Sequence, residues 1–400
     1  MALSKIDVAN MLTGATPVAN GGTALTSGFV NGSDPRPLSK PIIINGDMAV
    51  AQRSTSVTSV SNGDGGYQTC DRMRFDESGT MGAALTITQE SLTSGNAFLN
   101  GFANAFKVDV TTADSSPDAD DWSRLNMRIE AQDMKPFKKG TSNAEKYTLA
   151  FWVKATKTGT NTIELFDADN TRSIGGSYTI SSSNTWEHKV VNFAADTTGA
   201  FADDNGEGLR ISWSLSAGSN YTSGTLPSAW ESSTVANTAP NQVNHFDSTS
   251  NNFHITGIQL EVGEFSSTTL PPFQFESFGD NLARCQRYFY NHVDRRVSVG
   301  QSDDNMIIGK GGFNSSAQFE ATVHFPVTMR TAPTLELGSG SNFFKLFVSN
   351  TSHQFDDFAV HADQNNATSL FKGSFSGTQG DAGNLVVNNA NAFVHFGCEL

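Results

Sequence analysis

Carboxylate side chains are the groups in this 400-residue chain that occur densely enough to suggest chemistry. They cluster in three polar stretches, as Asp118, Asp120 and Asp121; Asp167 and Asp169; and Asp203, Asp204 and Glu207. An enzyme that cleaves polysaccharides needs two carboxylates that face one glycosidic bond at a defined separation. Acids that are neighbours in a loop do not provide that geometry by themselves. We therefore interpret the clusters as turn-forming acids and predict no catalytic residue.

Metal ligands also lack a recognisable pattern. Asp-Ala-Asp-Asn at 167–170 begins like a calcium loop, but it lacks the glycine and the distant bidentate glutamate of such loops. The eight histidines show no HExxH spacing, and the cysteines, Cys70, Cys285 and Cys398, show no CxxC spacing. We predict no cofactor and no metal, with a structural Ca²⁺ as the alternative, and we expect the cysteines to be ordinary buried or free thiols.

Aromatic rings in polar loops indicate a different chemistry, the binding of sugars. A sugar stacks its apolar face on an exposed Trp or Tyr ring, while polar side chains bind its hydroxyls. Trp122 follows the acidic stretch PDADD, and Tyr221 and Trp230 lie in the long polar stretch 217–252. We predict these three residues as a carbohydrate-binding set. The alternative is that each ring anchors its own loop to the body of the protein.

The charge of the chain excludes two classes of partner. There are 26 basic and 40 acidic residues, which gives a formal net charge of −14. Nucleic acid and anionic membrane surfaces both need a positive footprint, so we expect neither as a partner. We also find no secretory signal peptide and no apolar run of membrane-spanning length, and therefore expect no membrane insertion. Phosphate-binding and nucleophile-elbow motifs are missing from the sequence as well.

Strand patterns fill most of the chain. YTLAFWVKAT places Tyr147, Leu149, Phe151 and Val153 on one face with a period of two, which is typical of a half-buried strand. The same theme returns in NTIELFDADN, GSYTI, TWEHKVVNFAA, GLRISWSLSAG and FHITGIQLEVG, and we expect Trp213 to face the core. Short spacings without amphipathic helices favour antiparallel pairing in a two-sheet jelly roll.

A short helix and a second β region follow. Ser277 and Asp280 have the spacing of a capping box, and Leu282, Cys285 and Phe289 form one apolar stripe after it. FFKLFV, LFKGSF, NLVV and AFVHFGCEL are further strand patterns, and we expect the last of them to enter a sheet.

The first 40 residues differ from the rest of the chain. Three prolines in GSDPRPLSKP forbid a helix there, and too little apolar mass is present for independent folding. We predict an arm that docks on partner chains through Ile6, Val8, Met11, Leu12, Pro17 and Val18. The predicted organisation is all-β, with an extended or helical arm (1–40), a jelly-roll β-sandwich (41–276), a connecting helix (277–291) and a second, C-terminal β-sandwich domain (292–400).

Several phrases resemble a known group of proteins. PIIINGDMAVAQRST, GYQTCDRMRF, YTLAFWVKATKTGT, NTWEHKVVNF, FHITGIQLEVG and FESFGDNLARCQRYFY occur in that order. This series resembles the carbohydrate-binding-module-like jelly roll of bacteriophage tail fibre and related virion proteins. ALSKIDVANMLTGATPVANGGTAL is similar to phage fibre sequence, and FPVTMRTAPTLEL with FGCEL resembles the β domain that follows the CQRYF helix in the same proteins.

The resemblance implies a virion component that assembles in the host cytoplasm. It implies a non-enzymatic and commonly trimeric protein that contacts a host cell-surface glycan and binds other virion proteins through residues 1–40. A short tail fibre is our leading hypothesis. A capsid-attached head fibre or decoration protein is one alternative. A polysaccharide depolymerase is the other, and it would need a carboxylate pair drawn from Asp167, Asp169, Asp203 and Asp204.

Overall fold

A computed structural model describes residues 40–294, 306–338, 340–348 and 351–400, without the side chains of 361–363. The chain divides into two units, Met1–Pro41 and Ile42–Leu400. The predicted attachment residues Ile6, Val8, Met11, Leu12, Pro17 and Val18 lie outside the described residues. Strands make up 43% of the structure and helices 8%, which confirms the all-β prediction.

Two antiparallel sheets form the predicted jelly-roll region. The first has the order β1-β4-β5-β13-β7-β10, with β1 Ser56–Val60, β4 Ala84–Ser91, β5 Asn104–Thr112, β7 Tyr147–Ala155, β10 Glu187–Phe193 and β13 Asn252–Val262. The second has the order β12-β9-β8-β11-β6-β3-β2, with β2 Gly66–Tyr67, β3 Arg74–Ser78, β6 Trp122–Glu130, β8 Gly159–Asp167, β9 Arg172–Ile180, β11 Glu207–Ala217 and β12 Glu231–Ser232. Their apolar faces enclose one core.

The period-two patterns place the core residues as predicted. Tyr147, Leu149, Phe151 and Val153 are all fully buried, and so is Trp213. The rings of Phe151 on β7 and Trp213 on β11 meet edge to face, with centroids 5.7 Å apart, so the two sheets touch through these side chains. Aromatic pairs of this kind add to the stabilisation from burial.

Glycine has a specific function in β13. Gly257 has a φ of 63° at the point where the register of β13 against β7 shifts between Thr256 and Gln259. A β-carbon there would lie 2.7 Å from the Phe102 ring and 2.9 Å from Trp152. The bulge therefore requires glycine for its backbone conformation and for the close approach of two aromatic rings.

The C-terminal region also consists of two antiparallel sheets around one core. The smaller has the order β14-β23-β17, with β14 Phe289–Asp294, β17 Thr334–Leu337 and β23 Phe393–Gly397. The larger has the order β19-β18-β22-β15-β16-β21-β20, with β15 Ile307–Phe313, β16 Phe319–His324, β18 Phe344–Val348, β19 Thr351–Phe355, β20 Ala359–Asp363, β21 Ala367–Lys372 and β22 Ala382–Val387. As predicted, β23 lies inside a sheet, between β14 and β17.

Three α-helices are described, α1 Gly95–Leu99, α2 Ser219–Thr222 and α3 Phe278–Gln286, together with 3₁₀ helices at Ala131–Phe137 and Val235–Asn237. Helix α3 begins as predicted, because the Ser277 hydroxyl accepts a hydrogen bond from the Asp280 backbone N–H at 3.2 Å. It ends earlier than residue 291, and Phe289 already belongs to β14. The apolar stripe predicted Phe289 to be helical, but Phe289 pairs with Gly397 of β23, which is distant in the sequence, and therefore lies in a strand. No helix in the described part of the chain is long and apolar enough to cross a membrane.

The C-terminal β region is joined to the jelly roll by arginine side chains. Arg72 of the jelly roll is 2% exposed, lies 3.6 Å from the centre of the Tyr288 ring and forms an ion pair with Glu399. Arg128 on β6 donates a hydrogen bond of 2.8 Å to the Leu400 carbonyl. Cation–π contacts and buried ion pairs of this kind make the junction a packed interface.

Candidate functional site

The outward faces of the two jelly-roll sheets differ. The first sheet is covered on its outer side by a small apolar cluster in which Ala97, Phe102 and Trp186 are buried and Trp152 and Phe273 are partly buried. The Phe102 and Phe273 rings meet at a centroid distance of 4.9 Å. The first sheet also carries ion pairs of Glu90 with Lys107 and Lys154, and the outward face of the second sheet is a polar face as well.

Strand register determines which side chains share that polar face. On β6 the inward residues Leu125, Met127 and Ile129 are buried, so their neighbours along the strand point outward. The residues paired with these outward positions on the neighbouring strands share the same face. The register pairs are Asp76 with Arg124, Arg124 with Ser214, Asn126 with Ser212, Arg128 with Arg210, Ser212 with Glu164 and Arg210 with Phe166. The outward positions therefore carry arginines, carboxylates, one amide, short hydroxyl side chains and the Phe166 ring, of which Asn126, Ser212 and Ser214 are buried.

Ion pairs cross this face from strand to strand. Arg124 on β6 lies 3.2 Å from Glu164 on β8, and because β11 runs between these strands, the pair passes over the serines of β11. Glu207 bridges Arg128 at 3.4 Å and Arg210 at 2.7 Å. At the β3 side, Asp76 pairs with Arg74, accepts a hydrogen bond of 2.6 Å from Asn126 and lies 3.3 Å from Arg128. We call these seven charged residues the ionic ladder: Arg74, Asp76, Arg124, Arg128, Glu164, Glu207 and Arg210.

Two of the three predicted aromatic residues meet at one end of the ladder. The Trp122 and Tyr221 rings lie at an angle of 69° with their centroids 6.4 Å apart, and both are partly exposed. The Arg124 guanidinium lies 4.1 Å from the Trp122 ring centre and 5.9 Å from that of Tyr221. Sequence reasoning missed Arg124, although the alternation in WSRLNMRIE places it on the same strand face as Trp122.

The loops around this aromatic pair are held by backbone hydrogen bonds. Helix α2 carries Tyr221, and the neighbouring Asn220 N–H donates to the Ala119 carbonyl at 2.9 Å. Asp121 is 5% exposed, and its carboxylate accepts from the backbone N–H groups of Thr80 at 2.6 Å and Asp118 at 2.8 Å. Asp121 is therefore a turn-forming acid, and it holds the chain in place directly before the Trp122 ring.

The long loop 217–252 closes one side of the face. Gly175 on β9 donates its backbone N–H to the Pro227 carbonyl at 2.9 Å. A β-carbon on Gly175 would lie 2.4 Å from Leu226, so the loop lies directly against the strand there. The loop thus forms a wall over β9, while the neighbouring part of the sheet carries the ionic ladder.

Trp230, the third predicted sugar platform, is part of the core, which corrects the prediction. It is 8% exposed, and its indole N–H donates to the Ala194 carbonyl at 2.8 Å. Its ring lies 5.7 Å from that of Tyr147. Trp230 anchors the long loop to the sandwich, which was the alternative to sugar binding for this ring.

Asp167, the first acid of the calcium-like loop, has a protein cation as its partner. Asp167 and Lys139 are both fully buried at their side chains and form an ion pair of 2.5 Å. The same ammonium group lies 3.1 Å from Asp196 and donates to the carbonyls of Thr198 at 3.0 Å and Gly199 at 2.7 Å. Lys139 thus balances the charge of Asp167, while Asp196 also pairs with Arg172 at 2.8 Å. The described residues contain no group of three or more His, Cys, Asp or Glu side chains arranged to hold a metal ion.

The other carboxylates considered for a depolymerase stabilise loops. Asp169 accepts a hydrogen bond of 2.9 Å from the Ala202 N–H, and Asp204 accepts one of 2.9 Å from the Gly206 N–H. Asp203 is largely exposed and lies 3.4 Å from Lys135. With Asp167 bound to Lys139, each of the four acids has a partner of its own.

Burial changes the protonation behaviour of the central ion pair. Burial lowers the pKa of Arg124, with Glu164 opposing this effect and Arg210 adding to it. Burial likewise raises the pKa of Glu164, against the attraction of Arg124 and Arg210. Arg124 and Glu164 therefore form an ion pair in a poorly hydrated place, with the Arg210 guanidinium, paired with Glu207, as a second nearby positive charge.

Comparisons with known proteins give structural similarities only. No family model matches the chain, and no curated protein matches it. Among solved structures, the enzymatically active domain of tailspike protein 4 from bacteriophage CBA120 matches with 16% identity over 52% of this chain and a TM-score of 0.27. The match spans 21% of the tailspike chain, well under two thirds of its length.

Carbohydrate-binding modules are among the other similar structures. A family 11 module from Clostridium thermocellum, in complex with a β-1,3-1,4-mixed-linked tetrasaccharide, has 10% identity and a TM-score of 0.25, covering 53% of this chain and 99% of the module. The N-terminal cellulose-binding domain of Cellulomonas fimi β-1,4-glucanase C has 14% identity and a TM-score of 0.24, covering 54% of this chain and 98% of the domain.

Proposed function

We propose that this protein is a non-enzymatic bacteriophage virion protein, a short trimeric tail fibre whose jelly roll binds a glycan on the host cell surface. The observation that carries the glycan-binding part is the cluster of Trp122, Arg124 and Tyr221 on the outward face of the second sheet. Two partly exposed rings beside the Arg124 guanidinium provide what a sugar needs, which is an apolar platform and a hydrogen-bonding group.

The virion assignment is supported by the ordered series of phrases that resembles phage fibre proteins, from the N-terminal arm to FGCEL. In this proposal residues 1–40 bind other virion proteins. The protein is part of the virion and is attached to the tail rather than to the capsid. Sheet edges and the apolar residues of the arm would be covered by neighbouring copies of the chain.

Glycan binding is tested with the full chain on an array of bacterial capsular and O-antigen polysaccharides. We expect Trp122→Ala and Tyr221→Ala each to weaken binding about fivefold or more, because ring stacking contributes about 0.5–1.5 kcal/mol beyond buried area. Trp152→Ala is the matched control, since Trp152 is also a partly exposed tryptophan but lies on the first sheet. If the wild-type protein bound none of these polysaccharides, or if only Trp152→Ala reduced binding, the proposed function would be wrong.

Trimer formation is tested by light scattering on the purified chain with and without residues 1–40. We expect three times the mass of one chain when the arm is present and a lower mass when it is removed, because the apolar residues of the arm would then no longer be buried between copies. A monomer with the arm present would contradict the proposed trimer. Electron microscopy of intact particles would then distinguish a tail position from a capsid position.

A further inference from the structure

The charge of the candidate face differs from that of the whole chain. The protein has a formal net charge of −14, but the ionic ladder contains four arginines and three carboxylates. Arg124 forms its ion pair with Glu164, while Arg210, which pairs with Glu207, adds to the positive charge around that carboxylate. The ladder by itself therefore attracts an anion, whereas the acids at 118, 120 and 121 beside Trp122 and the net charge of the protein oppose one.

Arg124 has few hydrogen-bond partners for a guanidinium group. A guanidinium group has five N–H donors. For Arg124 one of them is described in a hydrogen bond, from Nη1 to Glu164 at 3.2 Å. The Arg124 side chain is 12% exposed, and its planar guanidinium group lies beside the rings of Trp122 and Tyr221. By contrast, Arg128 already donates to Asp76 and to the Leu400 carbonyl. Arg124 therefore has donors to offer a ligand that packs on the two rings.

We propose that the glycan bound at this face contains an acidic sugar, and that Arg124 binds its carboxylate while the sugar ring packs on Trp122 and Tyr221. This inference rests on the proposed glycan-binding function and names the substrate class. A guanidinium group matches a carboxylate through two parallel N–H···O bonds, which makes arginine more selective for planar acids than lysine is. The partly buried setting strengthens this bond because few water molecules compete for the same donors.

The experiment compares each polysaccharide of the same array in its native form and after chemical reduction of its carboxyl groups to alcohols. We expect the wild-type chain to bind uronate-containing polysaccharides and to lose about tenfold or more of its affinity when the carboxyl groups are reduced. Glycerol-phosphate polymers on the same array separate carboxylate recognition from phosphate recognition.

The outcomes distinguish this inference from the proposed function. Equal binding of native and reduced polysaccharides would overturn the acidic-sugar inference and leave glycan binding intact, whereas binding of neither form would overturn both. Binding to the phosphate polymers alone would show that the carboxylate assignment is wrong.

A pair of variants tests Arg124 itself. We expect Arg124→Lys to weaken binding of the native acidic polysaccharide about tenfold, because lysine keeps the charge but cannot form the two parallel bonds. Arg124→Gln combined with Glu164→Gln removes the charges together and leaves no unpaired buried charge, so the sheet is expected to fold, which tryptophan fluorescence checks. This double variant should bind native and reduced forms equally. A preference for the native form equal to that of the wild type would contradict the inference.

Discussion

Replacing Lys139 by methionine is expected to lower the free energy of unfolding of the jelly roll by about 3–5 kcal/mol. Methionine has a similar length and keeps the apolar contacts of the lysine stem, but it removes the ammonium group that pairs with Asp167 and Asp196, of which Asp196 retains Arg172. Asp167 would then be a buried carboxylate without a cation. Two backbone carbonyls, those of Thr198 and Gly199, would also lose their donor.

Urea denaturation followed by tryptophan fluorescence measures this effect. All five tryptophans lie between residues 122 and 230, so the signal reports on the jelly roll and not on the C-terminal β region. Lys138→Met is the matched control, because Lys138 is the neighbouring lysine, is half exposed and pairs with Glu145 at the surface. A surface ion pair contributes about 0–1 kcal/mol, so the control should unfold close to the wild type.

A second variant tests whether the loss of charge balance causes the destabilisation by Lys139→Met. Asp167→Asn keeps the shape of the side chain and removes one of the carboxylates that Lys139 neutralises. The double variant Lys139→Met with Asp167→Asn should therefore be more stable than the sum of the two single effects predicts, by about 1 kcal/mol or more. If the two effects simply added, or if Lys139→Met matched its control, the buried ammonium would not have the stabilising function assigned to it here.

Glu130→Ala is expected to lower the free energy of unfolding by about 3 kcal/mol. The Glu130 side chain is fully buried and accepts hydrogen bonds from Arg287 at 2.7 and 2.8 Å and from the Tyr288 hydroxyl at 2.6 Å. Alanine would leave the buried Tyr288 hydroxyl without an acceptor. Arg287 is 31% exposed at its side chain and can regain water, so the cost stays below that of a fully buried pair.

The same contact predicts a pH dependence. Burial by itself would raise the pKa of Glu130, but the hydrogen bonds from Arg287 and Tyr288 outweigh this effect, and the pKa is lower than the ordinary value. In the unfolded chain the pKa of a glutamate is about 4.3. The stabilisation by ionised Glu130 is therefore fully present above that pH and is lost as the pH falls through the lower value of the folded state.

Urea denaturation at a series of pH values tests this dependence. We expect the stability of the wild-type protein to fall more steeply below about pH 4.3 than that of Glu130→Gln, whose side chain does not titrate. Glu264→Ala is the control, since Glu264 is an exposed acid paired with Lys146, and it should follow the wild-type curve. Identical pH profiles for the wild-type protein and Glu130→Gln would contradict the prediction.

The sequence patterns predicted the sandwich because alternation is a local property. Tyr147, Leu149 and Phe151 are buried on the face where a period of two places them, and Trp213 is buried on the opposite sheet. The Ser277 cap likewise marks the first turn of α3. The end of α3 could not be read locally, because Phe289 is withdrawn from the helix by pairing with Gly397, which is distant in the sequence.

The candidate site was predicted in part. Trp122 and Tyr221 were identified as aromatic residues in polar surroundings, and the fold brings their rings together. Trp230 was selected by the same criterion, but the path of its loop turns the ring inward onto Tyr147. Composition of a loop shows that an aromatic residue is present, whereas the direction of its ring depends on packing against other elements.

The sequence alone determined which strands form, which of their faces are apolar and where the connecting helix begins, because these properties depend on residues close together in the chain. Tertiary structure decided which polar side chains meet. Arg124 faces Glu164 across β11, and Lys139 reaches Asp167, only because strands and loops distant in sequence are neighbours in space. Burial then gives these pairs their energy, since the same charges in water would contribute little.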